Sequence, residues 1–265
     1  MTDLLPTILT SFATTMATKG AEAPANTFNE AWKYIFGPLD SFLLRKNEER
    51  KYNNERYVKA LTEKIEQIPI ENIQDPKMSI LGPALEASKF YIEEEDIREI
   101  FATLLAASFD SSKNPLLHHS FVEIIKQLSP LDARNLKFIA QRKRCPVAKY
   151  LLQHEMGGQS LLKPLIFIPH DSDCGIESSL DNSMFDFDRN ASSITNLERL
   201  GLIKVDFTSW LSSEERYIFL DNNPLTEVYK TSYIKTKYNE KLHIQKGLID
   251  ITPLGEDFYK VCLSE

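Results

Sequence analysis

The chain has 265 residues, a formal net charge of −7, and a composition that is 42% hydrophobic and 10% aromatic. That apolar content builds a core and excludes a disordered chain, and the acidic balance argues against a protein held to nucleic acid by charge alone. Three widely spaced cysteines form no disulfide framework, no apolar run approaches a membrane span and no signal-peptide pattern opens the chain, so a cytoplasmic location is expected.

Leu4, Leu5, Ile8, Leu9, Phe12, Ala13 and Met16 recur at helical spacing, with Thr and Ser on the opposite face. Asp3 can cap this helix, and Pro6 falls in its first turn. The plain reading is a terminal helix docked on the body. The functional alternative is a detachable helix that offers Leu5, Leu9, Phe12 and Met16 to a membrane surface or a partner. A membrane-surface helix carries Lys or Arg on its polar face, and this stretch has no basic residue before Lys19.

Residues 20–25 read as a short linker. From residue 26 a second helix shows Phe28, Ala31, Trp32, Ile35, Leu39, Phe42 and Leu43 on one side, with Gly37 and Pro38 placed to kink or split it. Residues 44–57 are almost wholly charged or polar, a solvated helix or a hinge. Val58, Leu61, Ile65 and Ile68 then form a 3-4-3 packing seam that Pro69 ends.

Residues 78–128 hold the densest helix signals. A short helix over 79–91 offers Ile80, Leu81, Ala84, Leu85 and Ala87 for burial. Glu93, Glu94, Glu95 and Asp96 place negative charge where the next helix dipole favours it. That helix carries the stripe Ile97, Ile100, Phe101, Leu104, Leu105 and Phe109. Ala102, Ala106 and Ala107, with Thr103 and Ser108, form a small-residue face that permits close helix packing within the chain or between copies. Ser120 and Glu123 read as a capping box, and Ser129-Pro130 starts a helix that ends in the cations of residues 142–144.

After Pro146 the texture changes. Residues 147–168 mix Leu and Lys around Gly157 and Gly158, and 169–189 read as a loop rich in Asp and Ser. A helix with Ile194, Leu197 and Leu200 stops at Gly201. Residues 203–207, 216–220, 227–234 and 242–252 read as strands, and Thr252-Pro253 caps a final helix.

Two resemblances follow from these residues. Ile80-Leu-Gly-Pro-Ala-Leu-Glu-Ala87, residues 95–99, residues 104–110 and Phe121-Val-Glu-Ile-Ile-Lys-Gln-Leu-Ser-Pro130 resemble the core of the abortive infection alpha (Abi-alpha) family of bacterial phage-defence proteins. The likeness covers about residues 60–140, and more loosely 197–203 and the end. Phe109 stands where the family pattern has Met. The resemblance implies a role in defence against phage and brings no catalytic residues with it. Separately, residues 197–203 and 247–255 resemble the helix and closing segment of winged-helix proteins. Lys230, Lys235, Lys237, Lys241 and Lys246, interleaved with Tyr229, Tyr233 and Tyr238, then read as a basic wing able to contact a phosphate backbone. The plain alternative is a strand pair whose lysines guard its edge.

Other constellations carry little. Cys145, His154, His170 and Cys174 lack the paired spacing of a zinc site, and Asp171/Asp173 and Asp186/Asp188 suit a hydrated loop. No nucleotide-loop or nucleophile-elbow motif is present, and no metal or cofactor is expected. The expected architecture is mainly α, a multi-helix region over 1–144 followed by a winged-helix-like α+β region over 145–265. The expected function is a non-enzymatic anti-phage factor that acts by protein interaction, through helix exposure or self-assembly, with a phage or host protein as trigger. The alternatives are a nucleic-acid-binding regulator and a membrane-acting effector.

Overall fold

The computed structural model describes residues 4–43, 48–169, 186–233 and 240–264; the side chains of residues 4–9, 11, 37–43, 48–51 and 233 lie outside that description. The chain forms two compact units, residues 1–130 with 257–265, and residues 131–256. In sequence the two units divide at 130/131, and residues 257–265 group with the first unit. The architecture is mainly α, with one small antiparallel sheet in the second unit.

The first unit contains α1 (Leu4–Thr18), α2 (Glu22–Leu43), α3 (Glu48–Glu66), α4 (Met78–Ser88), α5 (Glu95–Ser108), α6 (Ser120–Ile125) and a π-helical turn, Tyr259–Leu263. The expected linker at 20–25 is only a corner. Gly20 takes φ 69°, its N–H closes on the Ala17 carbonyl, and α2 begins at Glu22. Helix α2 is not split at Gly37 and Pro38.

Helix α5 is the axis of this unit and packs on α3, α4 and the π-helical turn. Its predicted stripe is buried from Ile97 to Phe109. Phe12, Phe28 and Phe109 meet ring to ring, and Trp32 stacks on Phe36. Each such side chain contributes about 1.5–3 kcal/mol through burial. The capping box at Ser120 does not form. Ser120 is already the first helical residue, and its N–H donates to His118 Nδ1 at 3.1 Å.

The second unit runs α7 (Pro130–Arg142), β1 (Arg144–Gln153), β2 (Gln159–Ile166), α8 (Phe187–Arg199), β3 (Ile203–Asp206), α9 (Ile218–Asp221), α10 (Pro224–Tyr233), β4 (Lys241–Ile251) and α11 (Pro253–Phe258). The strand order is β2-β1-β4-β3, and every pairing is antiparallel. Residues 147–168, unassigned from sequence, are most of a hairpin that turns through Gly157 and Gly158 at φ 89° and 90°.

Two expected strands are helices. Residues 216–220 join a 3-10 turn to α9, and 227–234 begin inside α10. The aromatic and β-branched content there suggested strands. The local start signal is stronger: Asn223 Oδ1 accepts from the Thr226 N–H at 3.1 Å, and Pro224 occupies the first helical position. Of the expected wing, the described residues 229–233 are therefore helical, and 241–246 belong to β4.

Tyr150 of β1 organises the core between sheet and helices. Its hydroxyl lies 2.6 Å from both the Leu220 carbonyl and Thr226 Oγ1, and accepts from Asn223 Nδ2 at 2.9 Å. Helix α8 ends as the sequence predicts. The Leu202 N–H reaches the Leu197 carbonyl and the Gly201 N–H reaches that of Glu198, with Gly201 at φ 74°. Thr252 Oγ1 caps α11 by accepting from the Gly255 N–H at 3.0 Å.

Candidate functional site

The end of α5 is held by more polar contacts than a helix terminus needs. Asp110 Oδ1 accepts from the N–H of Ser112 at 2.9 Å and from its Oγ at 2.6 Å, which closes a 3-10 turn over Ser111–Lys113. Gln74 lies alongside. Its N–H donates to the Phe109 carbonyl at 2.9 Å, its Nε2 to the Ser108 carbonyl at 3.1 Å, and its side chain pairs reciprocally with that of Asn114. Lys113 is thereby fixed, and its Nζ donates to the Lys260 carbonyl at 3.3 Å.

Lys260 lies in the π-helical turn that packs on α5. Ala102, Ala106 and Ala107 are all buried within this unit. Between the end of α3, α5 and the C-terminal turn a cleft of ≈ 400 Å³ remains, and Lys64, Lys113, Lys260 and Asp110 supply its charges. Ile68, Pro69, Ala106, Ala107 and Val261 supply its apolar surface. Of its lining, Ile68, Pro69, Thr103, Ala106 and Ala107 stood out in the sequence, as packing residues. The three lysines come from distant stretches, and no spacing rule joins them.

A second groove, ≈ 780 Å³, lies along α8 in the other unit. Its carboxylates already have partners: Asp188 takes Lys163 Nζ at 2.6 Å, and Glu198 accepts the Val205 N–H at 2.9 Å. Asp186 caps α8 through the Arg189 N–H. Asp171, Asp173, His170 and Cys174 lie outside the described residues. Cys145 and His154 stand at opposite ends of the ten-residue strand β1, about 30 Å apart at strand rise, and cannot share a metal. The described residues contain no group of three or more metal-ligating side chains.

His154 joins two partners that sequence reasoning missed. Its Nδ1 lies 2.8 Å from Glu240 Oε1 and its Nε2 lies 2.7 Å from Ser160 Oγ. The order carboxylate, imidazole, hydroxyl is that of an acyl-transfer relay. Ser160, however, is exposed on a strand and lines neither cleft. The three side chains instead tie the hairpin tip to the start of β4.

The described thiols are not poised to react. Both described cysteines are free and buried, and burial pushes Cys145 up to about 12 and Cys262 well above its ordinary value. Arg98 is a further buried ion. Its Nη1 donates to the Ile92 carbonyl at 2.8 Å, while Nε and Nη2 have no hydrogen-bond acceptor. Glu95, 3.8 Å from Nη2, also takes Arg56. Burial foremost, then the neighbouring Arg56 charge, holds the Arg98 pKa below its ordinary value.

Lys230 donates to the Asp221 carbonyl and to Glu227, and Lys246 pairs with Glu214 beside the Tyr217 ring. Lys241 is exposed at the start of β4, while Lys235 and Lys237 lie outside the described residues. In α1, Phe12 and Met16 are buried in the first unit, as the docked-helix reading expects, and the side chains of Leu5 and Leu9 lie outside the described residues. No described helix is long and apolar enough to cross a membrane.

These features define a mainly helical, two-unit protein with a small antiparallel sheet. The chain belongs to the abortive infection alpha family, whose sequence profile matches residues 49–262 and so takes in parts of both units. The likeness noted over 60–140 therefore extends through the sheet. No curated protein and no solved structure matches the chain.

Proposed function

We propose that the protein is an anti-phage factor of the abortive infection type that works by binding a phage or host protein and catalyses no reaction. Family membership over 49–262 is the observation that carries the defence role. The interaction reading is supported by exposed apolar side chains in the second unit. Trp210 is 61% exposed, Val228 57% and Ile218 53%. An exposed Trp such as Trp210 is the residue type most enriched at interface hot spots. The suppressed thiols of Cys145 and Cys262 and the open-strand setting of Ser160 support a non-catalytic mode.

The test is phage plating on cells that express either the natural chain or Trp210→Ala combined with Val228→Asp. Both changes fall on exposed positions, so the fold is expected to persist. The reading predicts that protection is lost while the variant accumulates to the same level. Full protection by the variant contradicts it.

A further inference from the structure

We propose that the first half of α3 is a releasable segment: residues 48–57 open from α5 as a unit while residues 58–66 stay docked. The two halves of this one helix are held by different chemistry. Val58, Leu61 and Ile65 are buried and supply an apolar seam. The end of that half is also tied to α1, since Lys19 Nζ donates to the Glu66 carbonyl at 2.8 Å and to the Ile68 carbonyl at 2.6 Å. The half before the seam buries Asn53 and Asn54 instead. Arg98 of α5 meets it with Nη1 3.3 Å from Asn53 Oδ1. Asn54 lies three residues before Tyr57, on the same side of the helix, and Tyr57 packs on Trp32 of α2 with ring centroids 5.9 Å apart.

This polar layer is only partly satisfied. Asn54 Oδ1 and the Nε and Nη2 of Arg98 have no hydrogen-bond partner among the described residues, and neither do Asn29 Oδ1 and Trp32 Nε1 of α2. A buried polar atom without a partner is costly in a low-dielectric interior, and opening relieves it by admitting water. An apolar seam gains nothing from water, so the same opening stops at Val58. The ionic tie across the first half is weak: Arg56 and Glu95 pair with side chains 41% and 58% exposed, and Glu95 stands 3.8 Å from Arg98 Nη2. Release withdraws Tyr57 from Trp32, both fully buried, and offers an aromatic face without unfolding the unit. Moving elements are drawn from such regions of low local stability.

The inference does not rest on the protein-interaction reading, because it is read with the purified full chain alone. Amide hydrogen exchange, resolved along α3, tests it. The amides of residues 52–57 are expected to exchange together, roughly tenfold or more faster than those of 58–66. Asn54→Leu replaces an unmet acceptor with an apolar group of similar size. It should slow exchange of 52–57 by about tenfold and leave 58–66 unchanged. Gly82→Ala, within α4, should leave exchange of 52–57 unchanged, because the opening is local to α3. Should Asn54→Leu fail to fold, the exchange pattern of the natural chain and the Gly82→Ala result decide the matter. The proposal is overturned if 52–57 exchange no faster than 58–66, or if rates fall off smoothly from the helix start as fraying alone requires. It is equally overturned if folded Asn54→Leu leaves exchange of 52–57 unchanged or faster, or if Gly82→Ala slows it.

Discussion

Asn135 on α7 donates through Nδ2 to Ser193 Oγ on α8 at 3.0 Å, and both residues are buried. The same amide reaches Asn190 at 3.3 Å, and Asn196 donates to Asp132 at 3.1 Å. Two helices of the second unit are thus joined by a polar seam. Such a seam fixes register, because each side chain is satisfied in only one alignment. Asn135→Ala is expected to lower stability by about 1–3 kcal/mol, the cost of stranding buried partners. Urea unfolding checks this, and an unchanged midpoint would contradict a stabilising role for the seam.

Tyr150 makes the same argument in the sheet. Tyr150→Phe keeps the ring and removes a hydroxyl that meets Leu220, Thr226 and Asn223. The expected loss is about 1–3 kcal/mol, since Thr226 and Asn223 are buried and lose a partner. Urea unfolding of this variant reads the loss directly.

Two glycines give opposite expectations. A Cβ on Gly255 would lie 2.0 Å from the Leu202 carbonyl oxygen, so Gly255→Ala must displace backbone and destabilises the second unit. A Cβ on Gly82, inside α4, meets nothing within 4 Å, and Gly82→Ala should stabilise by about 0.5–1 kcal/mol. Thermal melting of the two variants should move in opposite directions.

Much of the first unit was legible because its signals are local. The stripe from Ile97 to Phe109 is a single helix face, and in the second unit Gly201 ends α8 with the bonds its position predicts. The misreadings share a cause. Residues 216–234 have strand-like composition, but Asn223-Pro224 sets a helix start that outweighs it. Ser120 has the residue type of a cap, yet the His118 ring, two residues earlier, accepts its N–H instead. The cleft was illegible because Lys64, Lys113 and Lys260 converge only through packing of the C-terminal turn on α5. The His154 relay was illegible for a similar reason, since Glu240 reaches it across 86 positions.

The pKa shifts set a pH profile. Cys145 moves from 9.0 to about 12, and Tyr57, Tyr150 and Tyr217 are also raised, in each case chiefly by burial. These groups ionise more readily in the unfolded chain, so the stability that Cys145 contributes is complete below pH 9.0 and is lost as pH rises toward about 12. Asp206 works in the opposite sense. Thr208 hydrogen bonds lower it from 3.8 to about 2, so its contribution holds above 3.8 and is lost as pH falls toward 2. Urea midpoints measured across pH should therefore fall at both ends, and a midpoint that rises above pH 9.0 would contradict the alkaline arm.

The interaction mechanism is tested most directly by affinity capture of the natural chain and of Trp210→Ala/Val228→Asp from phage-infected cells, followed by mass spectrometry. The expected result is one dominant phage or host protein that appears on infection with the natural chain and is lost with the variant, together with protection. Capture of the same partner by a variant that no longer protects, or protection with no partner captured, would contradict it.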